Sequence, residues 1–329
     1  MKVLVTGVGG FVGGHLVTLL RAEHPGAEVF GIVRPHGSVP EGPGAGVRLI
    51  EADLNDAATV EDALDLVSPD RVVHLAGQSS VHQSWLDPGG TLRTNVLGLV
   101  HLLDGLRRRR LRPTVLVVGS ADEYGAVAAE DLPLREDAPL HPGSPYAVSK
   151  VAQGLLALQY ASPEGVRVVR TRTFQHTGPG RGETFAESSF AKQIAEIESG
   201  LRPPVLHVGN LDAIRDYSDV RDVVRAYWAL LERGEPGAVY NVCSGRFLRL
   251  RELLDMLIRM SRVSVEVRVD PSRLRPADVP ALVGDPRRLR EATGWEPRVA
   301  FPDTLRDLLE DWRQRVGRSV PAGSPAGPR

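Results

Sequence analysis

The chain has one cysteine, Cys243. An intrachain disulfide is excluded, which fits a reducing compartment. Aromatic residues make up only 5%, and lysine is scarce beside arginine, a bias of the kind that genomic base composition produces. The net charge of −1 gives no reason to expect nucleic acid or an anionic membrane as a partner. The four arginines at 107–110 are a local run and read as a solvated helix end. No apolar stretch is long enough to span a bilayer, and the opening MKVLVTG enters a strand with no leader-like segment. The nine histidines are scattered and the lone thiol has no partner, so no metal site is expected. These absences together predict a soluble cytoplasmic protein.

What the chain has is alternation. Its 329 residues suffice for one large domain or two coupled ones. Apolar runs at 2–6, 28–33, 47–51, 71–75, 114–118 and 167–172 read as buried strands. Helical spacing falls between them at 11–23, 57–66, 91–109 and 146–161. That order predicts an α/β fold with a doubly wound parallel Rossmann sheet over residues 1–173. Beyond Phe174 the pattern loosens. Helices are expected at 189–199, 220–233, 251–260 and 302–316, and strands at 239–242 and 264–269. Residues 174–316 therefore read as a smaller mixed α/β substrate lobe, with a segment near 220–245 returning to the main sheet. The Gly/Pro/Ser-rich residues 317–329 read as a mobile tail.

Gly7, Gly10 and Gly13 fall between the first strand and the first helix. A turn without Cβ atoms lets backbone amides and a helix N-terminus face a pyrophosphate. The spacing is G-x-x-G-x-x-G rather than G-x-G-x-x-G. Asp53, after the third strand, is placed to accept from an adenine amino group, or else belongs to an ordinary helix start. The second strand ends Gly31-Ile32-Val33-Arg34-Pro35, with an arginine and no acid. This favours NADP(H) over NAD(H), because an arginine there suits a 2′-phosphate.

Tyr146 and Lys150 are four residues apart on one predicted helix face. A neighbouring ammonium favours a phenolate, so the tyrosine is expected to exchange a proton at lower pH than usual. Lys150 is also placed to hold a nicotinamide ribose. Ser120 ends a strand and is suited to hydrogen-bond a substrate carbonyl.

The motifs TGxxGFxG, Asp53-Leu54, HLAGQSSV, GSxxxYG, SPYAVSK and RDYSDVRDVV resemble the extended short-chain dehydrogenase/reductases that act on nucleotide sugars. The resemblance runs from Met1 to about Trp312. RTFxHTGPG, FAKQIAEIE, VYNVCSG and RLRPADVP narrow it to the GDP-mannose branch, which holds 4,6-dehydratases and 4-keto-6-deoxy-sugar reductases. The reductases resemble the chain more closely, since the dehydratases typically open TGxxGQDG. The resemblance implies a GDP-sugar substrate, a homodimer through a helix bundle, and cofactor contacts from Phe11, Val12, Leu54, Leu75 and Ala76. It implies substrate contacts from Ser79, Gln175, Lys192, Asn210, Arg215, Arg275 and Asp278. The branch usually has Asn where Gln175 stands. Its dehydratases carry a Glu where this chain has Asp122, whose carboxylate reaches roughly 1.5 Å less, enough to slow a reaction that depends on placement. His176 reads as a loop histidine and not a catalyst. The reading is an NAD(P)H-dependent reductase of a GDP-linked 4-keto-6-deoxy sugar at C4. The alternatives are a GDP-mannose 4,6-dehydratase with tightly held NADP(+), and a non-catalytic dinucleotide or sugar-nucleotide sensor. Retention of both Tyr146 and Lys150 weighs against the sensor.

Overall fold

The computed structural model describes residues 1–35, 47–161, 165–273 and 279–319. In the first half, β1 (Lys2–Thr6), α1 (Phe11–Glu23), β2 (Glu28–Val33), β3 (Arg48–Glu51), α2 (Ala57–Val67) and β4 (Arg71–His74) alternate. They are followed by α3 (Val81–Leu86), α4 (Pro88–Leu92), α5 (Gly98–Arg108), β5 (Thr114–Ser120), α6 (Pro145–Tyr160) and β6 (Arg167–Thr173). The second half carries β7 (Gln175–Thr177), α7 (Ala186–Glu198), β8 (Val205–Val208), β9 (Ile214–Asp219), α8 (Val220–Arg233) and β10 (Val239–Val242). It ends with β11 (Phe247–Arg249), α9 (Leu250–Met260), β12 (Glu266–Val269), β13 (Ala281–Leu282), α10 (Arg287–Thr293) and α11 (Phe301–Ser319).

Among the described residues the main sheet has seven strands in the order β10-β6-β5-β4-β1-β2-β3. Every pairing in it is parallel. Strand order reverses between β1 and β4, so a crevice opens at the carboxyl ends of those two strands. Both sheet faces are covered. Val3, Val5, Leu16, Leu20, Tyr227 and Leu230 form one core layer, with α1 and α8. Leu4, Val72, Leu64, Leu102, Leu106 and Val115 form the other, with α2 and α5. The lobe has a separate core of Phe190, Ile194, Leu253, Leu257, Leu308 and Trp312.

The predicted helix at 91–109 is interrupted. Arg93–Leu97 is a π-helical turn between α4 and α5. Such a turn inserts an extra residue, and here it buries Asn95 completely. His176 lies in strand β7 rather than a loop. Gly317 through Ser319 continue α11 instead of leaving it, because that helix packs on the lobe core through Leu308, Leu309, Trp312 and Val316. Residues 320–329 lie outside the described residues. No helix among the described residues is long and apolar enough to cross a membrane.

The glycine loop is held by packing as much as by conformation. Gly7 has φ +70°, and a Cβ there would come 2.8 Å from the Ala76 nitrogen. A Cβ on Gly13 would come 2.5 Å from the carbonyl oxygens of Gly7 and Val8. Gly13→Ala should therefore destabilise the chain by about 1–3 kcal/mol. Gly26→Ala, where a Cβ meets nothing within 4 Å, serves as the control. Urea unfolding of the two variants measures the difference; equal midpoints would contradict the packing argument.

Candidate active site

The crevice is built from the carboxyl ends of β1, β4 and β5. The Ala76 N–H donates to Thr6 Oγ1 (3.1 Å) and the Leu75 N–H to the Thr6 carbonyl (3.2 Å), which brings Leu75 and Ala76 beside the Gly7 turn. α1 begins at Gly10 with no side-chain cap. Its first amides, at Phe11 and Val12, are therefore not taken by a side-chain acceptor, as at α7 and α10, whereas α2, α3, α4, α6 and α8 are capped by Asp56, Ser80, Asp87, Ser144 and Asp219. An uncapped helix start behind a glycine turn fits a pyrophosphate.

Arg34, just past the end of β2, is exposed, with no ion-pair partner among the described residues. Asp53 is drawn into the start of α2. Its Oδ1 accepts from the backbone and side-chain nitrogens of Asn55 (2.9 and 3.0 Å). Leu54 is buried behind it.

α6 starts where it does because Ser144 Oγ accepts from the Ala147 N–H (3.1 Å) and Pro145 fills the first turn. It then buries Tyr146, Ser149, Lys150, Gln153 and Ala157 along one stripe. Tyr146 lies beside Ser120 at the end of β5, close enough for the serine side chain to act on its ionisation. Lys150 Nζ donates to the Val118 carbonyl and to Gln153 Oε1, both at 2.9 Å.

The expected drop in the tyrosine pKa is not what the structure produces. Burial pushes the Tyr146 hydroxyl well above its usual value, and the Asp122 carboxylate adds to the rise. The Ser120 side chain opposes it only in part. The loss of water outweighs the neighbouring ammonium, which donates to Val118 and Gln153. Burial also pulls Lys150 down to about 8, with Glu123 acting in the opposite sense.

Three buried polar residues of this region escaped the motif reading. Asn95 Oδ1 accepts from the Gln78 N–H (2.7 Å), and its Nδ2 donates to Ser149 Oγ (2.9 Å), tying the loop after β4 to α6. Gln153 holds the lysine. Glu123 Oε1 accepts from the Ser120 N–H at 2.9 Å. Only Glu123 had a local signal, since Ser120-Ala-Asp-Glu123 is a capping box. Asp122, whose N–H donates to Ser120 Oγ (3.2 Å), lies in the same turn.

The substrate candidates are more dispersed. Ser79 is exposed on the loop between β4 and α3. Gln175 is in β7, and its Oε1 is buried with no partner among the described residues. Lys192 on α7 contacts Glu183, pairs with Glu196 at 3.5 Å and lies over the Trp312 ring, so much of its charge is already balanced. Asn210 accepts from the Asp212 N–H (2.9 Å). Arg215 on β9 donates to the Ile214 carbonyl (2.9 Å) and reaches that of Pro280. Arg275 and Asp278 lie outside the described residues. His176 stacks on Phe11 at 6.1 Å, and the Arg181 guanidinium lies 5.0 Å from the same ring, so the lobe clamps the glycine loop. Among the described residues no group of three His, Cys, Asp or Glu forms a metal site.

A Rossmann sheet with an uncapped glycine loop, a Ser–Tyr pair and a buried lysine is the arrangement of an extended short-chain dehydrogenase/reductase. The chain belongs to the GDP-mannose 4,6 dehydratase family, whose profile matches residues 4–308. It is 41% identical over 315 residues to GDP-6-deoxy-D-mannose reductase of Pseudomonas aeruginosa, covering 96% of this chain and 98% of that one. It is 30% identical to GDP-mannose 4,6 dehydratase 2 of Arabidopsis thaliana over 330 residues, covering 94% and 86%. The solved structure of RMD from Pseudomonas aeruginosa complexed with NADPH superimposes with a TM-score of 0.85 at 40% identity, covering 95% and 99%.

Burial holds His74 at about 3, helped by the charge of Lys150. Burial holds His176 at about 4. Both folded values lie below the unfolded one, so the unfolded chain binds more protons as pH falls below about 6.5, and stability is lost in that direction. At pH 5 each buried imidazole should cost about 2 kcal/mol relative to pH 7. His176→Asn should show a smaller loss between those pH values by urea unfolding; an unchanged loss would contradict the buried, neutral ring.

Proposed function

We propose that the chain reduces a GDP-linked 4-keto-6-deoxy sugar at C4 with NADPH. The Ser120–Tyr146 pair beside buried Lys150 carries this reading. The likeness to the reductase over nearly the whole chain supports the substrate class. When bound, NADPH supplies the hydride. Gly7, Gly10, Phe11 and Val12 receive its pyrophosphate, Asp53, Leu54, Leu75 and Ala76 border the adenosine and nicotinamide, and exposed Arg34 meets the 2′-phosphate. NADH is the weaker cofactor on this reading. Ser120 Oγ polarises the C4 carbonyl, and Tyr146 gives its proton to the oxygen as the new hydroxyl forms. The phenol is protonated at neutral pH, as a proton donor must be, while its raised pKa makes it a weaker acid than a free tyrosine. Lys150 holds the nicotinamide ribose.

Residues 1–173 with β10 serve the cofactor, and the lobe serves the sugar nucleotide. Within the lobe Arg215, Lys192, Asn210 and Gln175, with Ser79 from the first half, contact the substrate, as do Arg275 and Asp278. The buried, unpartnered Gln175 oxygen favours a ligand donor there. The lone buried Cys243 is consistent with the cytoplasm.

One observation favours a second reading. The Asp122 carboxylate is close enough to raise Tyr146, where a 4,6-dehydratase needs a further acid and base. Incubation separates the two readings. GDP-4-keto-6-deoxymannose should oxidise NADPH faster than NADH, and GDP-mannose without reductant should stay unchanged. No consumption of either cofactor would defeat the reductase reading. Tyr146→Phe should lower kcat by about 10²–10⁴-fold while still binding NADPH.

We also propose a homodimer. Trp85, Leu86, Leu92, Leu97, Val148 and Leu155 are exposed along α3, α4, the π-helical turn and α6. A patch of that kind on neighbouring helices fits a helix-bundle interface. Light scattering should give twice the chain mass, and Leu155→Glu should return it to one; a monomeric wild type would end the idea.

A further inference from the structure

We propose that Glu123 is a positioning residue of this site, holding Ser120 and Lys150 through a buried polar cluster that includes one water molecule. The proposal rests on the roles given above to Ser120 and Lys150.

Glu123 is 4% exposed. A carboxylate that deep needs a charged partner and satisfied lone pairs. Its Oε2 accepts from Arg172 Nε at 3.0 Å, and its Oε1 accepts from the Ser120 N–H at 2.9 Å. Arg172 is fixed in turn. Its Nη1 donates to the Tyr124 hydroxyl (3.0 Å) and to the Glu136 carbonyl (2.9 Å). The Tyr124 hydroxyl donates to Asn241 Oδ1 on β10 (2.7 Å). Three neighbouring strands thus brace the backbone from which Ser120 projects.

Beside this cluster is a cavity of about 10 Å³, lined by Glu123, Gln153, Arg170, Thr171 and Arg172 among others. Gln153 Nε2 and Arg170 Nε are buried donors with no partner among the described residues, and both residues line it. Two such donors on residues that line a polar space of about one-water size call for a water. That water accepts from both and donates to Glu123, whose oxygens each keep a free lone pair. The other end of Gln153 accepts from Lys150 Nζ, so the cluster reaches the lysine through one side chain.

The ionisable groups around Lys150 and Tyr146 among the described residues are Asp122 and Glu123 after β5, Arg170 and Arg172 on β6, His74 on β4, Tyr227 on α8, and Arg181 after β7. Of these, Glu123 is the one that favours the lysine charge against burial. Removing its charge lowers the pH at which Lys150 loses its proton, and Arg172, left unbalanced, pushes the same way.

The lysines are Lys2, Lys150 and Lys192, so ¹³Cε-lysine labelling yields three assignable signals. The Lys150 signal should titrate near pH 8 in the wild type. Glu123→Gln should move it down by about one unit. Glu123→Asp keeps the charge and should leave the titration near that of the wild type while kcat falls, because the shorter acid no longer reaches the Ser120 N–H. An unmoved Lys150 signal in Glu123→Gln overturns the proposal. A merely structural role would lower the melting temperature without shifting the titration. If Glu123→Gln does not fold, Gln153→Met removes the acceptor on Lys150 and should shift the same signal the same way; no shift there overturns the proposal. A crystal structure should show a water within hydrogen-bonding distance of Gln153 Nε2 and Arg170 Nε, and a dry cavity overturns that part. The titration needs no substrate, so it stands or falls separately from the reductase reading, which fails if Tyr146→Phe is fully active.

Discussion

The burial of one face of α6 against β5 and β6 sets the electrostatics of the Tyr146–Lys150 pair. That packing removes water from Tyr146 and Lys150 at once. Desolvation pushes both groups toward their neutral forms, the phenol upward and the ammonium downward. Everything polar nearby works against or alongside that push. The Val118 carbonyl and Gln153 hold the ammonium. Ser120 opposes the rise of the phenol, and Asp122 reinforces it. The result is a protonated tyrosine, a weaker acid than in water, beside a lysine that is only moderately basic.

The geometry around that face is set from outside the helix. Asn95 fastens the loop after β4 to Ser149, and it does so from a π-helical turn that a regular helix would not provide. Gly77 shows how little room is left, since a Cβ there would come 2.9 Å from Asn95 Oδ1 and 3.7 Å from Lys150 Nζ. An alanine at this position would press on the residue that joins the two elements.

The sheet was largely legible from residue order, because its strands are continuous apolar runs and its helices keep one period. Of the lobe strands, β12 falls inside the run expected at 264–269, while β7, β8, β9, β11 and β13 were not legible. β9 reads Ile-Arg-Asp-Tyr-Ser-Asp and buries Asp216 against the Ser244 and Gly245 amides, a pairing that no local pattern shows. β7, β11 and β13 are too short to display a period. In the site, Ser120, Tyr146 and Lys150 stood out by type and spacing. Their electrostatics did not, because burial belongs to the packed chain rather than to a segment. Glu123 lay between these cases. Its capping-box spacing was readable, while its partner Arg172 comes from a strand 49 residues later.

The main sheet is not finished by the first half of the chain. β10 pairs with β6 from residues 239–242, after the lobe has supplied β7, α7, β8, β9 and α8. During synthesis β6 therefore emerges as an open edge, with unpaired amides and carbonyls along one side. It stays open until Val242 has left the ribosome. α8 arrives just before β10 and covers the face beneath it, with Tyr227 hydrogen-bonded to Thr173. A chain cut at the apparent domain boundary would expose that edge permanently, so the two halves form one unit for folding.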